Sequence, residues 1–316
     1  MTEGSTGDRV VVGVDGSPGG RAALVWALAA AARAGAEVEV VSAFPVDLSW
    51  IAPDLLDPRR VEEIRSDTEA RLRVSVAEAM EDPAVRGTAR DATVPVHVTV
   101  VPGDPAETLV ARAEDAGLLV VGSRGRGAVK SALLGSVALH CAAHSACPVV
   151  VVHPGAPTAA PRVVVGIDDS SGAHADLREA VAHARRLGAG VEAVLVCQPV
   201  TYWSDATAPV PPVGESVDAA RARAERMVTA ALGAGPHPDV EVVVEVGTPG
   251  DVLVRRSAGA GLLVVGSRSR SRLAGLALGS VALHCVVHAS CPVLVVRHGR
   301  AHAATSAVEA ASRAHG

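Results

Sequence analysis

Aromatic side chains are almost missing from this chain: one Phe, one Tyr and three Trp stand in 316 residues. A core without them has to be filled by small and branched aliphatics, and 49% of the residues are hydrophobic, chiefly Ala, Val and Leu. That diet suits parallel strands buried on both faces beneath Ala-rich helices. Lysine is scarcer still, since Lys130 is the one lysine among 29 basic residues. With 34 acidic residues the net charge is −5, so a nucleic-acid partner finds no overall electrostatic support and none is expected. Apolar runs of about 18 residues are absent, which excludes a helical membrane span. Met1 to Asp8 is polar and lacks the basic-then-apolar order of a secretory leader, so a cytoplasmic location is expected. Five cysteines make no disulfide framework, and four fall in duplicate positions, Cys141 with Cys285 and Cys147 with Cys291. A Gly-Lys-Ser/Thr phosphate loop is lacking too, and with it the loop lysine that speeds phosphoryl transfer. Fast catalysis is therefore not expected.

What the chain does have is glycine in a pattern. An apolar segment ends at Gly122-Ser123-Arg124-Gly125, and Gly135-Ser136 follows with nine residues between it and Gly125. Near the C-terminus the pattern returns as Gly266-Ser267-Arg268-Ser269 and Gly279-Ser280. A strand, a flexible loop and a new helix start bring free backbone N–H groups to an anion, and glycine lets phosphate oxygens approach the main chain. The pattern reads as a phosphate cradle made twice.

The rest of the chain repeats as well. Val-rich Arg9 to Val14 reads as a buried strand ended by Asp15-Gly16-Ser17-Pro18, with a helix over 19–34 stopping at Gly35. A second strand covers 38–43, and a long loop runs from Phe44 to Arg60. A helix carrying Val61, Ile64, Leu72, Val76 and Met80 on one face follows, ended by Pro83. A third strand over 94–101 leads to Asp104-Pro105-Ala106-Glu107, which has the makings of a capped helix start. The fourth strand, 118–121, feeds the glycine loop; a helix over 136–145 and a fifth strand over 148–152 complete the unit. Arg162 to Asp168, with Asp169-Ser170, then matches Arg9 to Ser17 at a spacing of 153, while Gly266 matches Gly122 at 144. The chain is read as two tandem doubly wound α/β domains of five parallel strands, residues 8–153 and 162–298. Residues 154–161 are the linker and 299–316 a tail without apolar periodicity, expected to be disordered.

These residues together resemble the universal stress protein family in its tandem form. The resemblance rests on Val-Val-Gly-Val-Asp-Gly-Ser at 11–17, Val-Val-Gly-Ile-Asp-Asp-Ser at 164–170, both glycine motifs, and the endings Cys147-Pro148-Val149 and Cys291-Pro292-Val293. Family members with the glycine pattern generally bind ATP, so the resemblance implies an ATP-binding intracellular stress-response regulator, with Mg²⁺ as a companion ion of the phosphates. It implies that Asp15, with Gly16 and Ser17, lies near the nucleoside and that the main chain at Val41 reads the adenine edge. Gly122, Ser123, Arg124, Gly125, Gly135 and Ser136 would hold ribose and phosphates. Asp168, Asp169, Ser170, Val194, Gly266, Ser267, Arg268, Ser269, Gly279 and Ser280 are the second-domain counterparts. Ser269 departs from the motif. If its backbone needs φ > 0, Ser costs about 1 kcal/mol over Gly, which would make the first domain the better site. A slow ATPase and an interaction protein that binds no nucleotide are the alternatives.

Plainer readings stand beside these. Asp15 could cap the first helix, and Arg124, Arg126 and Lys130 could be solvated rather than phosphate-bound. His140, Cys141, His144 and Cys147, repeated at 284–291, have a metal-like spacing, but Cys141 points a quarter-turn away from His140, and no metal site is assigned. The fifth strands at 149–152 and 293–296 would lie at sheet edges, pairing with each other or with a second chain, from which a homodimer through edge strands is expected.

Overall fold

The computed structural model describes residues 9–44, 58–88, 94–126, 134–156, 162–170, 172–198, 213–235, 237, 239–267 and 278–297. The first unit runs β1 (Arg9–Gly13), α1 (Pro18–Ala34), β2 (Glu37–Phe44), α2 (Pro58–Met80), α3 (Pro83–Arg86), β3 (Val96–Pro102), α4 (Pro105–Arg112), β4 (Leu118–Gly122), α5 (Ser136–His144) and β5 (Val149–Val152). The second runs β6 (Arg162–Ile167), α6 (Ala173–Leu187), β7 (Gly190–Cys197), α7 (Val213–Leu232), β8 (Val240–Val246), α8 (Pro249–Arg256), β9 (Leu262–Gly266), α9 (Ser280–His288) and β10 (Val293–Val296).

All ten strands join one sheet of order β3-β2-β1-β4-β5-β10-β9-β6-β7-β8. Pairing is parallel within each unit and antiparallel at its centre, where Val149, Val150 and Val151 face Val295, Leu294 and Val293. The two fifth strands therefore complete each other inside the chain. Of the two partners expected for the fifth strands, the structure shows the one within the chain: β5 and β10 each have a neighbour on both sides, so a homodimer would have to pair elsewhere than at these strands. The physical reason is that eight backbone-rich apolar residues at two adjacent edges satisfy one another at the cost of one short linker.

Each face of the sheet carries one apolar cluster that includes residues of both units. α1 is so Ala-rich because it is nearly enclosed: Ala23, Ala27, Leu28 and Ala31 are fully buried against the sheet and its helical neighbours. At the opposite end of the strands from the glycine loops, a carboxylate ties each unit together. Glu39 on β2 accepts from Arg9 (2.6 Å), Thr99 (3.0 Å) and Arg112 (3.1 Å), and Glu192 on β7 pairs with Arg162 and Arg256 at 3.2 and 3.3 Å.

Two local expectations change. Pro83 does not end a helix but begins α3, capped by Asp82, whose side chain accepts from the Ala84 N–H at 3.0 Å. Proline suits a first helical turn because its missing N–H would have no partner there. The long loop expected over 44–60 is shorter at both ends, since Phe44 belongs to β2 and Pro58 already starts α2; residues 45–57 lie outside the described set, as does the tail expected over 299–316.

Candidate functional site

β1 is the point at which the strand order reverses, its neighbours being β2 and β4, and ligands of open α/β sheets sit at the carboxyl ends of strands flanking such a point. There the first unit has a cavity of about 960 Å³. Its floor is the ends of the strands, Gly13, Val41 and Gly122; one wall is the loop 124–126 with Gly135 and Ser136, and the other is α2 with Thr68, Arg71 and Ser75.

The glycines earn their places by crowding. A Cβ on Gly122 would stand 2.9 Å from Gly20 N and closer still to the Gly19 carbonyl, so the end of β4 and the start of α1 touch backbone to backbone. A Cβ on Gly125 would meet Asp15 Oδ2 at 2.6 Å, and one on Gly20 would meet Asp15 Oδ1 at 2.7 Å. Gly125 is not among the glycines of positive φ. In the first domain this motif position therefore needs room beside a carboxylate, not a left-handed backbone; Ser269, for which strain is expected if φ is positive, lies outside the described residues.

Asp15 is the hub of the loops. Its Oδ1 accepts from the Ser17 N–H (3.0 Å) and hydroxyl (2.6 Å), and its Oδ2 accepts from the Arg126 N–H (2.8 Å). Burial, the largest single influence, raises its pKa, but these hydrogen bonds together hold the carboxyl below its ordinary value. The cap of α1 is Ser17, whose Oγ accepts from Gly20 N at 3.0 Å, so the capping role open to Asp15 falls to its neighbour. Across the loop, Gly135 N donates to the Ser123 carbonyl at 2.8 Å and closes the segment between β4 and α5. Gly135 is the N-cap of α5 and offers no side-chain cap, which leaves the first-turn N–H groups, Ser136 onward, facing the cavity.

Of the first-domain residues expected at the site, Asp15, Gly16, Val41, Gly122, Arg124, Gly125, Gly135 and Ser136 line the cavity together. Ser17 and Ser123 do not line it; they serve the loops, with the Ser123 side chain buried. Val41 is placed differently from its expected role, since its carbonyl already accepts from Val14 N at 2.9 Å. The sequence reading missed the α2 wall, Thr68, Arg71 and Ser75. Their signal was a polar stripe at spacings of three and four beside Leu72, a face that apolar periodicity alone passes over.

The second unit closes its loop in the same way, Gly279 N donating to the Ser267 carbonyl at 2.8 Å ahead of Ser280. Its strand-to-helix turn is built differently. Asp168 Oδ1 accepts from Ser170 N at 2.9 Å, Asp169 replaces the left-handed Gly16 (φ 78°), and α6 starts later than α1, at Ala173 with Gly172 as cap. Val194 is fully buried in β7, and Gly266 ends β9. Arg268 and Ser269 lie outside the described residues, as do Lys130 and Gly127.

The metal-like spacing resolves into two layers. Cys141, Cys147, Cys285 and Cys291 are buried in the core, and burial pushes the Cys141 and Cys285 thiols up to about 12. His140 stacks on His144 and His284 on His288, with ring centroids 4.3 and 4.5 Å apart. Among the described residues no group of three or more His, Cys, Asp or Glu is placed to hold a metal ion.

Two five-stranded doubly wound units fused through their fifth strands, with a glycine loop after each fourth strand, define a tandem α/β architecture. The chain belongs to the universal stress protein family, whose profile matches residues 7–153 and again 160–297. It is 35% identical over 298 residues to universal stress protein Rv2005c of Mycobacterium tuberculosis, covering 91% of this chain and 96% of that one. It is 32% identical over 307 residues to universal stress protein Rv2623 of the same organism, covering 94% and 99%. A universal stress protein structure from Archaeoglobus fulgidus shares the fold, with a TM-score of 0.65 at 19% identity over 93% of this chain and 99% of that one. No helix among the described residues is long and apolar enough to cross a membrane.

Proposed function

We propose that the first domain binds an adenine nucleotide, ATP, in the cavity at the β1–β4 switch point, and that nucleotide held there sets the state of a stress-response regulator. The observation that carries this reading is the pairing of an uncapped α5 N-terminus with a glycine loop closed by Gly135, in a cavity wide enough for a nucleotide. The phosphates fit at Gly125, Gly135 and Ser136. The base fits against Leu109 and the end of β2. Because Val41 O faces β1 and Phe44 O faces β3, where it accepts from Gly103 N, the alternation of a parallel ladder turns the Ala43 N–H and carbonyl toward β1, beyond that strand's end. Ala43, rather than Val41, is then the main chain that reads the adenine edge.

Binding, not rapid turnover, is what these residues support. Asp15 is the one carboxylate among the described cavity-lining residues, and its oxygens are engaged by three donors that keep it ionised and weakly basic. For the same reason any Mg²⁺ would be carried by the phosphates. ATP supplies the anion and the base that these groups recognise, and its role here is as a retained ligand. The second domain, with its rebuilt turn, is the weaker site.

The test is to denature freshly purified protein and separate what it releases by chromatography, then to titrate the emptied protein with ATP by calorimetry while following phosphate release. Adenine nucleotide retained or rebound, with turnover slower than dissociation, is expected. Protein that is empty and does not bind added ATP would remove the reading; steady turnover abolished in Asp15→Asn would make it an ATPase.

A further inference from the structure

α2 and α7 are counterparts whose register can be read from what they bury. Setting Leu72 on Ala224 brings Val76 onto Val228, Ala79 onto Ala231 and Met80 onto Leu232, and all of them pack into the same apolar cluster. The same register sets Arg71 on Arg223. In the turns, alignment of Asp15 with Asp168 sets Gly16 on Asp169. In the second unit these two positions meet, Arg223 Nε lying 3.4 Å from Asp169 Oδ1. In the first unit there is no side chain at Gly16 to meet. Arg71 lines the cavity together with Gly16, donates to Thr68 Oγ1 at 3.1 Å, and pairs with no carboxylate among the described residues. A second guanidinium arrives from the glycine loop, since Arg126 Nη2 is the atom nearest to a Cβ built on Gly16.

We propose that the space over Gly16 is an anion position, held by Arg71 of α2 together with Arg126, and that in the second domain Asp169 fills the corresponding position with a carboxylate of the chain itself. This rests on reading the cavity as a nucleotide site, and within that reading it names Arg71 as a phosphate-binding residue and explains the inequality of the domains. Guanidinium forks match phosphate oxygens two at a time, and the cavity sets Arg71, Arg124 and Arg126 against Asp15 alone, so its unneutralised charge is positive. In the second domain Arg223 is neutralised before any ligand arrives. A phosphate entering there has to displace Asp169 first.

The experiment is calorimetric titration of the full chain and of Arg71→Ala and Arg71→Lys with ATP, adenosine and inorganic tripolyphosphate. Arg71→Ala is expected to weaken ATP by about tenfold or more and adenosine by less than twofold, with Arg71→Lys intermediate because a point charge keeps attraction and loses the fork. The wild-type chain is expected to show one tight ATP site, the second domain's being weaker. Unchanged ATP affinity in Arg71→Ala, equal losses for ATP and adenosine, or two equal ATP sites in the wild type would overturn the proposal. Wild-type protein that takes tripolyphosphate in an Arg71-dependent manner but neither ATP nor adenosine would retire the nucleotide reading and leave the anion position standing; a chain that binds none of the three would end both.

Discussion

The two turns that follow β1 and β6 start from nearly the same six residues and finish as different devices. In the first, Gly16, Gly19 and Gly20 leave space into which Asp15, Arg126 and the end of β4 all press, and α1 begins at once behind Ser17. In the second, Asp169 and Ala173 stand where Gly16 and Gly20 stood, the helix begins later, and the new carboxylate pairs with α7. The lesson is that a cradle for an anion is specified by side chains that are absent. Adding a single Cβ at the Gly20 position forbids the Asp15 arrangement, because the two would approach to 2.7 Å.

The largest expected effect comes from forcing that comparison. Gly122→Ala places a methyl group against the Gly19–Gly20 backbone, which cannot move without dragging α1, so a loss of about 3 kcal/mol in chemical denaturation is expected, at the upper end of overpacking costs. Gly20→Ala copies the second domain's residue into the first and displaces Asp15; ATP affinity is expected to fall more than tenfold with a smaller stability loss. Equal ATP binding by Gly20→Ala and wild type would show that the turn's crowding is irrelevant to the site.

A feature the domains share should respond alike. Glu39 and Glu192 are 6% and 5% exposed and each gathers two arginines, so Glu39→Gln and Glu192→Gln are both expected to cost about 2 kcal/mol, less than for a fully buried pair because the arginines reach water. Urea midpoints of the two variants differing by more than half of that loss would break the equivalence.

Much of this was legible in the chain itself, for a physical reason. Strands buried on both faces are written as unbroken Val runs, and helix and loop starts as glycine, proline and small capping residues, so β1, β4, β5 and their repeats stand out locally. So does the gathering of Asp15, Gly122, Gly125, Gly135 and Ser136, through a repeated motif. Pairings between distant residues were not legible. Nothing local says that Arg71 lines one cavity with Gly16, that Arg223 meets Asp169 more than fifty residues away, or that β5 pairs with β10. Pro83 was misread because proline ends one helix and begins the next by the same property, a missing N–H. Which need the motif's second glycine serves was not legible either, because glycine serves two purposes, free φ and free space, and sequence does not distinguish them; at Gly125 it is space, while Ser269 lies outside the described residues.

Acid should act on the second domain through a group that α1 of the first lacks. His183 on α6 is pushed down to about 4 by burial and then by the Arg186 charge, with Glu179 3.9 Å away and itself raised by burial; Ala30 stands at the matching place in α1. The folded pKa lies below the unfolded one, so the unfolded chain binds the extra proton first and stability falls as pH drops from about 6.5 toward 4. A loss of roughly 1–2 kcal/mol by pH 5 is expected, seen as a falling Tm, and His183→Gln should flatten that slope. A slope of equal steepness in the variant would place the acid sensitivity elsewhere.

The smallest effect is expected at the glycine that looks most important. Gly135 caps α5 and belongs to the motif, yet a Cβ there would stand 3.4 Å from the Ser123 carbonyl oxygen and 3.5 Å from Arg124 Cα, ordinary contact distances, and its backbone (φ −78°, ψ 149°) is open to any residue. Gly135→Ala should therefore change stability by less than about 0.5 kcal/mol, which is typical of positions without a packing conflict. Any loss of ATP affinity it causes then reports on the ligand, because the methyl group has no conflict with the described residues to explain it. Gly135→Ala thus separates the two uses of glycine in this loop: at Gly122 the Cβ is refused by the chain, and at Gly135 the described residues leave room for it and a bound phosphate would not.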